Sequence, residues 1–401
     1  MSAPGLMFYS HDTYGLGHLR RTLALANFFR SRRPYSQLIV TGSPVAHRFP
    51  LPGGADYIKL PSVVKVGAGT YESRSLSLSF RAIRDLRRDL LLGAARHFRP
   101  RALLVDNVPG GLKGELRPVL RFLKSTSCRL VLGLRDIIDD AERVRSTWGE
   151  DGSYDLLDEA YDRILVYGAR DVYDPVVEYD FSQEAAEKTH FTGYIGREPG
   201  IQSREQIRSA LGLGAEPLVL VMAGGGEDGY ELLSTCLEAM RLRGDSSSFQ
   251  CLLIGGPFLP ADRLREVRER ARGRCVGFID FLEDVTSYVG AADAIVSMGG
   301  YNSVCELLSL QKPGLIVPRV TPRREQLIRA EALSRRGCLR MVHPTEITPR
   351  GLCTEIERLL DERPLPAALP LTGLPVASAV LEDVLAEPVE ERALLAAGNA
   401  S

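Results

Sequence analysis

Glycines set beside a histidine, arginines and carboxylates mark where this chain could do chemistry. The first such stretch is Tyr14-Gly15-Leu16-Gly17-His18-Leu19-Arg20-Arg21, directly after the apolar run 6–9. Two glycines permit a tight turn at the carboxyl end of a parallel strand, where open α/β sheets bind ligands. A helix starting there offers N–H groups and the positive end of its dipole to an anion. His18 at that turn suits general-base chemistry at neutral pH. Gly17 and Arg21 are placed to meet an acceptor or a phosphate. Capping of its own helix is the plain alternative for His18.

A second stretch, Val221-Met222-Ala223-Gly224-Gly225-Gly226-Glu227-Asp228-Gly229, runs a strand into three glycines. Unhindered N–H groups before a helix make a phosphate cradle. No Gly-Lys-Ser/Thr follows, so this is not a Walker A loop. Close helix–strand packing would explain the same glycines. The third stretch is the most specific: Ser297-Met-Gly299-Gly300-Tyr-Asn302-Ser303-Val-Cys-Glu306, followed by Pro318 and by Arg323-Arg324-Glu325-Gln326. Here Asn302 or Ser303 would cap a helix. Glu306 would lie one turn in, where a carboxylate can accept both hydroxyls of a ribose, and Glu325 and Gln326 would open the next helix. A glutamate in a first turn can also simply complement the helix dipole.

The remaining candidates are Ile279 within Gly277-Phe-Ile-Asp-Phe281, and the strand-end acids Asp106 and Asp136. The Phe-Ile segment could hold a flat base while its backbone reads the base edge, although core packing accounts for either phenylalanine alone. Asp106 and Asp136 would face the same ligand region as His18, or cap the loops after their strands. Asp139-Asp140 reads as a solvated helical pair with no second carboxylate group, so no Mg2+ or Mn2+ site is expected.

These residues must be carried by alternating strands and helices. Short apolar runs at 6–9, 38–41, 103–105, 130–134 and 164–167 read as buried strands. Helical stretches at 19–30, 79–97 and 115–125 separate them. A second series places strands at 218–222, 251–254, 294–297 and 315–317. Two such series in 401 residues predict two doubly wound parallel-sheet domains. The seam falls at 193–199, where two glycines and a proline interrupt the pattern. The expected domains are 1–195 and 196–375, with a closing helix and tail over 376–401.

Composition narrows the class. No apolar run reaches the ~20 residues of a membrane span, and residues 6–9 run straight into His11, Asp12 and glycines, unlike a secretory signal. Seven cysteines without CxxC spacing predict reduced thiols in a cytoplasmic protein. Residues 1–135 carry 22 Lys+Arg against 7 Asp+Glu, while 136–195 carry 5 against 16. The basic front favours a phosphate-bearing acceptor or an anionic membrane surface, or reflects an arginine-rich solvated surface. Arg81, Arg84, Arg87, Arg88, Arg96 and Arg99 among leucines could lie on anionic lipid. No aromatic-interleaved basic motif supports nucleic-acid binding.

The segments 296–306 and 318–326, with the 15–18 loop, resemble GT-B glycosyltransferases related to the lipid II N-acetylglucosaminyltransferase family. They are most similar to a bacterial "predicted glycosyl transferase" group. The resemblance implies two Rossmann-like domains facing a cleft and an inverting, metal-independent transfer from a nucleotide-diphosphate sugar, UDP-sugar favoured. By it Gly224, Gly225 and Gly226 approach the diphosphate, Ile279 the base and Glu306 the ribose. Gln326 meets the sugar, with Gly299, Gly300, Asn302, Ser303 and Glu325 around them, and His18 is the base. No cofactor is implied, since the nucleotide sugar is a substrate. The implied location is the cytoplasm, at the inner face of the membrane, with a lipid-linked or phosphate-bearing acceptor. The triple-glycine loop departs from that family's own phosphate loop. The 15–26 segment also resembles the nucleotide-sugar hydrolase of pseudaminic-acid synthesis, which is the runner-up reading, and a non-catalytic nucleotide-sugar-binding protein is the third.

Overall fold

The computed structural model describes residues 5–12, 16–67, 70–225, 228–244, 249–273, 276–361 and 369–388. Contacts divide the chain into two compact units, Met1–Ile195 with Thr372–Ser401, and Gly196–Leu371.

The first unit is built on a seven-stranded parallel sheet. Its strands are β1 (Gly5–Ser10), β2 (Ser36–Thr41), β3 (Ala55–Lys59), β6 (Ala102–Asp106), β7 (Arg129–Arg135), β8 (Arg163–Tyr167) and β9 (Thr189–Phe191), in the order β3-β2-β1-β6-β7-β8-β9. Two further strands, β4 (Val63–Gly67) and β5 (Thr70–Ser73), pair as an antiparallel hairpin. The near-continuous apolar runs of β1 and β6 are buried on both faces, as a helix-covered parallel sheet requires. Strand order reverses between β1 and β6, the switch point at which such sheets bind ligands.

The helix Phe80–Phe98 is capped by Ser79, whose Oγ accepts from the Ala82 N–H at 3.3 Å. The expected helix at 115–125 begins later, at Arg117. Glu115 is diverted because it is buried and pairs with Arg87: Nε and Nη2 of Arg87 each donate to its carboxylate at 2.7 Å. Tyr9 adds its hydroxyl at 2.5 Å. Arg87 therefore does not face a lipid surface, whereas Arg81, Arg96 and Arg99 are exposed. Losing one partner of such a buried pair costs roughly 3–5 kcal/mol.

Another part of the basic excess is spent on the last helix, Gly373–Ala386, which starts ahead of the expected position 376. Arg101 donates to the Leu385 carbonyl at 3.1 Å, and Arg129 to the Glu387 and Pro388 carbonyls at 3.0 Å. Arg163 pairs with the Glu387 carboxylate. These cations stand at the negative end of that helix, where they are favourable.

The second unit has a six-stranded parallel sheet. Its strands are β10 (Leu218–Met222), β11 (Gln250–Ile254), β12 (Gly277–Ile279), β13 (Ala294–Ser297), β14 (Gly314–Ile316) and β15 (Arg340–Met341), in the order β12-β11-β10-β13-β14-β15. Val219, Val221, Leu253, Val296 and Leu315 form its core with the helices Tyr230–Arg243 and Pro349–Asp361. No helix among the described residues is long and apolar enough to cross a membrane.

Candidate functional site

In the first unit the chemistry gathers at the carboxyl ends of β1, β6 and β8. The helix Gly17–Arg32 begins beyond β1 without a capping side chain at Leu16 and without an acid in its first turn. Asp12 supplies the cap from the preceding loop. Its Oδ1 accepts from the Leu19 N–H at 3.0 Å, and its Oδ2 from the Thr41 hydroxyl at 2.6 Å and from Ser10. Tyr14 and Gly15 lie outside the described residues, so the start of the glycine motif is not placed.

His18 and Arg21, one turn apart on this helix, both reach Asp106, the last residue of β6. His18 Nδ1 lies 2.5 Å from Asp106 Oδ2. Arg21 donates through Nε at 2.6 Å and Nη2 at 2.7 Å to the same carboxylate. Burial opposes ionisation of Asp106, yet the charges of Arg21 and His18 outweigh it and hold the carboxyl far below the usual carboxylate range. An ionised carboxylate can only accept, so Nδ1 carries a proton toward Asp106, and in the neutral ring Nε2 is the nitrogen with the lone pair. Arg21 Nη2, 3.3 Å from Nδ1, is then a neighbour and not a bonded partner.

Arg21 is fully buried, 5.9 Å above the Tyr167 ring at the end of β8. Its guanidinium thus serves Asp106, not a phosphate in solution. Gly133 makes room for that ring, since a Cβ there would strike the Tyr167 hydroxyl. The His11 ring stands 4.6 Å from that of His18. Asp136 is brought to the same strand ends, but is buried and accepts from the Ile137 N–H at 2.7 Å. Asp139 is likewise buried and precedes its helix, so the Asp139-Asp140 pair is not the solvated helical pair expected.

In the second unit the turn after β10 includes Gly224, exposed and left-handed at φ 64°. The Gly225 carbonyl accepts from the Phe258 N–H at 3.1 Å. Gly226 lies outside the described residues. After β13, Gly299 takes φ 81°, and a Cβ there would approach Ile316 to 2.6 Å, so glycine is required. Gly300, with no side chain to cap with, precedes the helix Tyr301–Ser309. The expected caps lie past this N-cap position. Asn302 lies inside the helix and accepts from Arg197 Nη2 at 2.9 Å, and Ser303 is half-buried. Arg329, fully buried, donates to the Gly299 carbonyl at 3.1 Å and fixes that turn.

Glu306 is only 1% exposed, so its carboxylate is closed off from solvent. Ile279 ends β12, and its carbonyl accepts from the Gly255 N–H at 3.0 Å. Glu325 opens its helix but is buried, and its carboxylate pairs with Arg319 and does not face outward. Gln326 is half-buried, with Oε1 accepting from the Arg319 N–H at 3.0 Å. That bond orients the amide, so Nε2 is the end available to a ligand. Among the described residues no group of three His, Cys, Asp or Glu side chains could hold a metal ion.

Asp12, Arg197, Arg319 and Arg329 support these sites and were not picked out by sequence. Pro318-Arg319 falls within a recognised motif, but nothing in its spacing reveals a partner 91 residues away.

The two parallel α/β units are those of a GT-B protein. The chain is similar over 97% of its length to all of the calicheamicin glycosyltransferase CalG4, with a TM-score of 0.63 and 16% identity. It is equally similar, over 96% of each chain, to a putative UDP-N-acetylglucosamine 2-epimerase from Listeria monocytogenes, with a TM-score of 0.63 and 15% identity. Residues 219–370 match the glycosyltransferase family 28 C-terminal domain, which relates the second unit to that family. One relative is the UDP-N-acetylglucosamine--N-acetylmuramyl-(pentapeptide) pyrophosphoryl-undecaprenol N-acetylglucosamine transferase of Rubrobacter xylanophilus, 30% identical over 204 residues. That match spans about half of each protein, 49% of this chain and 54% of the relative.

Proposed function

We propose that the protein is a glycosyltransferase that moves a sugar from a nucleoside diphosphate, a UDP-sugar in the first instance, to an acceptor hydroxyl. The reaction inverts configuration and needs no metal ion. The observation that carries this reading is where the family 28 match falls. Residues 219–370 take in Gly224, Gly225, Gly299, Gly300, Glu306 and Gln326 at the strand ends of the second unit. The fold alone does not decide, because a putative epimerase shares it. The transferase relative favours transfer over hydrolysis.

In this reading the glycine turns after β10 and β13 receive the diphosphate at N–H groups and a helix N-terminus. Ile279 meets the base, Gln326 the sugar through Nε2, and Glu306 the ribose once it is exposed. His18 Nε2 takes the proton of the acceptor hydroxyl as its oxygen bonds to the anomeric carbon. The bond from that carbon to the diphosphate breaks, and the nucleoside diphosphate leaves with the electron pair. Asp106 stabilises the imidazolium that forms, and fixed backbone dipoles stabilise the leaving charge.

The acceptor is lipid-linked, as in the name of the Rubrobacter relative. Val66, Leu76, Leu78, Leu86 and Leu90 are each 40–52% exposed on the hairpin, loop and helix over residues 63–98. Exposed Arg81 belongs to the same helix, which suits peripheral contact with anionic lipid. Labelled UDP-N-acetylglucosamine, given with and without bacterial lipid extract in anionic vesicles, tests both points. Label should enter the lipid fraction only with vesicles, and Leu86→Glu with Leu90→Glu should lower that yield several-fold. Free sugar released at the same rate with or without lipid would instead establish a hydrolase.

A further inference from the structure

We propose that Arg319 is a positioning residue: it ties the glycine turn after β10 to the Gln326 side of the second unit and so sets the affinity for the nucleotide. This rests on the donor-binding reading of that unit. A turn containing Gly224 and Gly225 has little conformational order of its own, since glycine loses more freedom on ordering than any other residue. A phosphate cradle made from such a turn needs an external tether.

Arg319 provides one. Its Nη1 donates to Asp228 Oδ2 at 2.9 Å, just past the turn, and its Nη2 to the Glu325 carboxylate. Its backbone N–H holds Gln326 Oε1 at 3.0 Å. The three contacts differ in what they fix. Glu325 is 4% exposed, and a buried carboxylate needs its cation, so this end of the guanidinium is anchored. Asp228 is exposed and is held from that fixed point. The backbone contact orients the Gln326 amide. A guanidinium fork reaches two carboxylates at once, which the single ammonium of lysine does not reproduce.

Arg319→Gln also changes the contact to buried Glu325, so Asp228→Ala is the decisive variant. It removes the acceptor of the tether and leaves Arg319 on Glu325. Calorimetric titration with UDP should show Kd raised about fivefold in Asp228→Ala, with the melting temperature unchanged. Arg319→Gln should raise Kd by more than about tenfold, with Arg319→Lys between the two. In the protein without nucleotide, amide exchange at Phe258, whose N–H is bonded to Gly225, should be faster in Asp228→Ala. Wild-type exchange at Phe258 in Asp228→Ala overturns the proposal whether or not UDP binds. Tighter UDP binding by Asp228→Ala also overturns it, since that is the sign expected if Asp228 merely competes with an anion for Arg319. Absence of UDP binding by the wild type would instead strike the donor reading, with exchange at Phe258 still deciding the tether.

Discussion

His18→Ala should reduce sugar transfer by roughly 10²- to 10⁴-fold, the usual contribution of a positioned general base. Affinity for the nucleotide sugar should stay within about twofold of wild type, because a lost base leaves ground-state binding alone. The expectation follows from the tautomer. Asp106 is ionised and only accepts, so Nδ1 is the protonated nitrogen and Nε2 is left to take a proton. Rates at saturating donor, with calorimetry for binding, separate the two effects. Normal turnover in the variant would remove His18 from the chemistry.

Asp106→Asn should be almost as costly to turnover and far more costly to stability. Its amide nitrogen can donate to Nδ1, which moves the ring proton to Nε2 and leaves no base. A fall of roughly 10²-fold or more is expected, as for other histidines whose orienting carboxylate is lost. The same change breaks the buried ion pair between Arg21 and Asp106, at about 3–5 kcal/mol. The pH dependence has a definite sign. The folded Asp106 carboxyl titrates far below its ordinary value, so its contribution is complete above about pH 3.9, the unfolded value. As pH falls further that contribution is lost at roughly 1.4 kcal/mol per pH unit. Urea melts at pH 7 and pH 3 should therefore show the gap between wild type and Asp106→Asn narrowing in acid. A constant gap would mean that Asp106 is not held ionised by Arg21.

The inner strands of both sheets were legible because they are short, continuous apolar runs that survive as buried parallel strands, whereas the edge strands β3, β9, β12 and β15, with no fully buried residue, were not. Gly299 was legible as a turn for a reason the structure makes concrete: φ 81° with Ile316 against its Cα. The charged partnerships were not legible. Arg21 and Asp106 are 85 residues apart, and Asp228 and Arg319 are 91 apart. No local pattern encodes such a pairing, so Arg21 read as a residue of the acceptor or phosphate side and Glu325 as part of the donor site. Part of the basic excess in the front half is likewise internal, since Arg21, Arg87, Arg101 and Arg129 serve carboxylates and carbonyls within the first unit. The N-terminal cap of the helix Gly17–Arg32 was missed for a related reason, because Asp12 supplies it from seven residues before Leu19.

Titration of the wild-type protein with UDP and with UDP-N-acetylglucosamine, with and without EDTA, tests the central claim most directly. The account predicts binding that EDTA does not change. At a hundred times Kd the nucleotide should add about 2.7 kcal/mol of stability, visible as a raised melting temperature. No heat and no melting shift with UDP-, GDP-, dTDP- or ADP-sugars would contradict it, leaving a GT-B fold without the donor site assigned to its second unit.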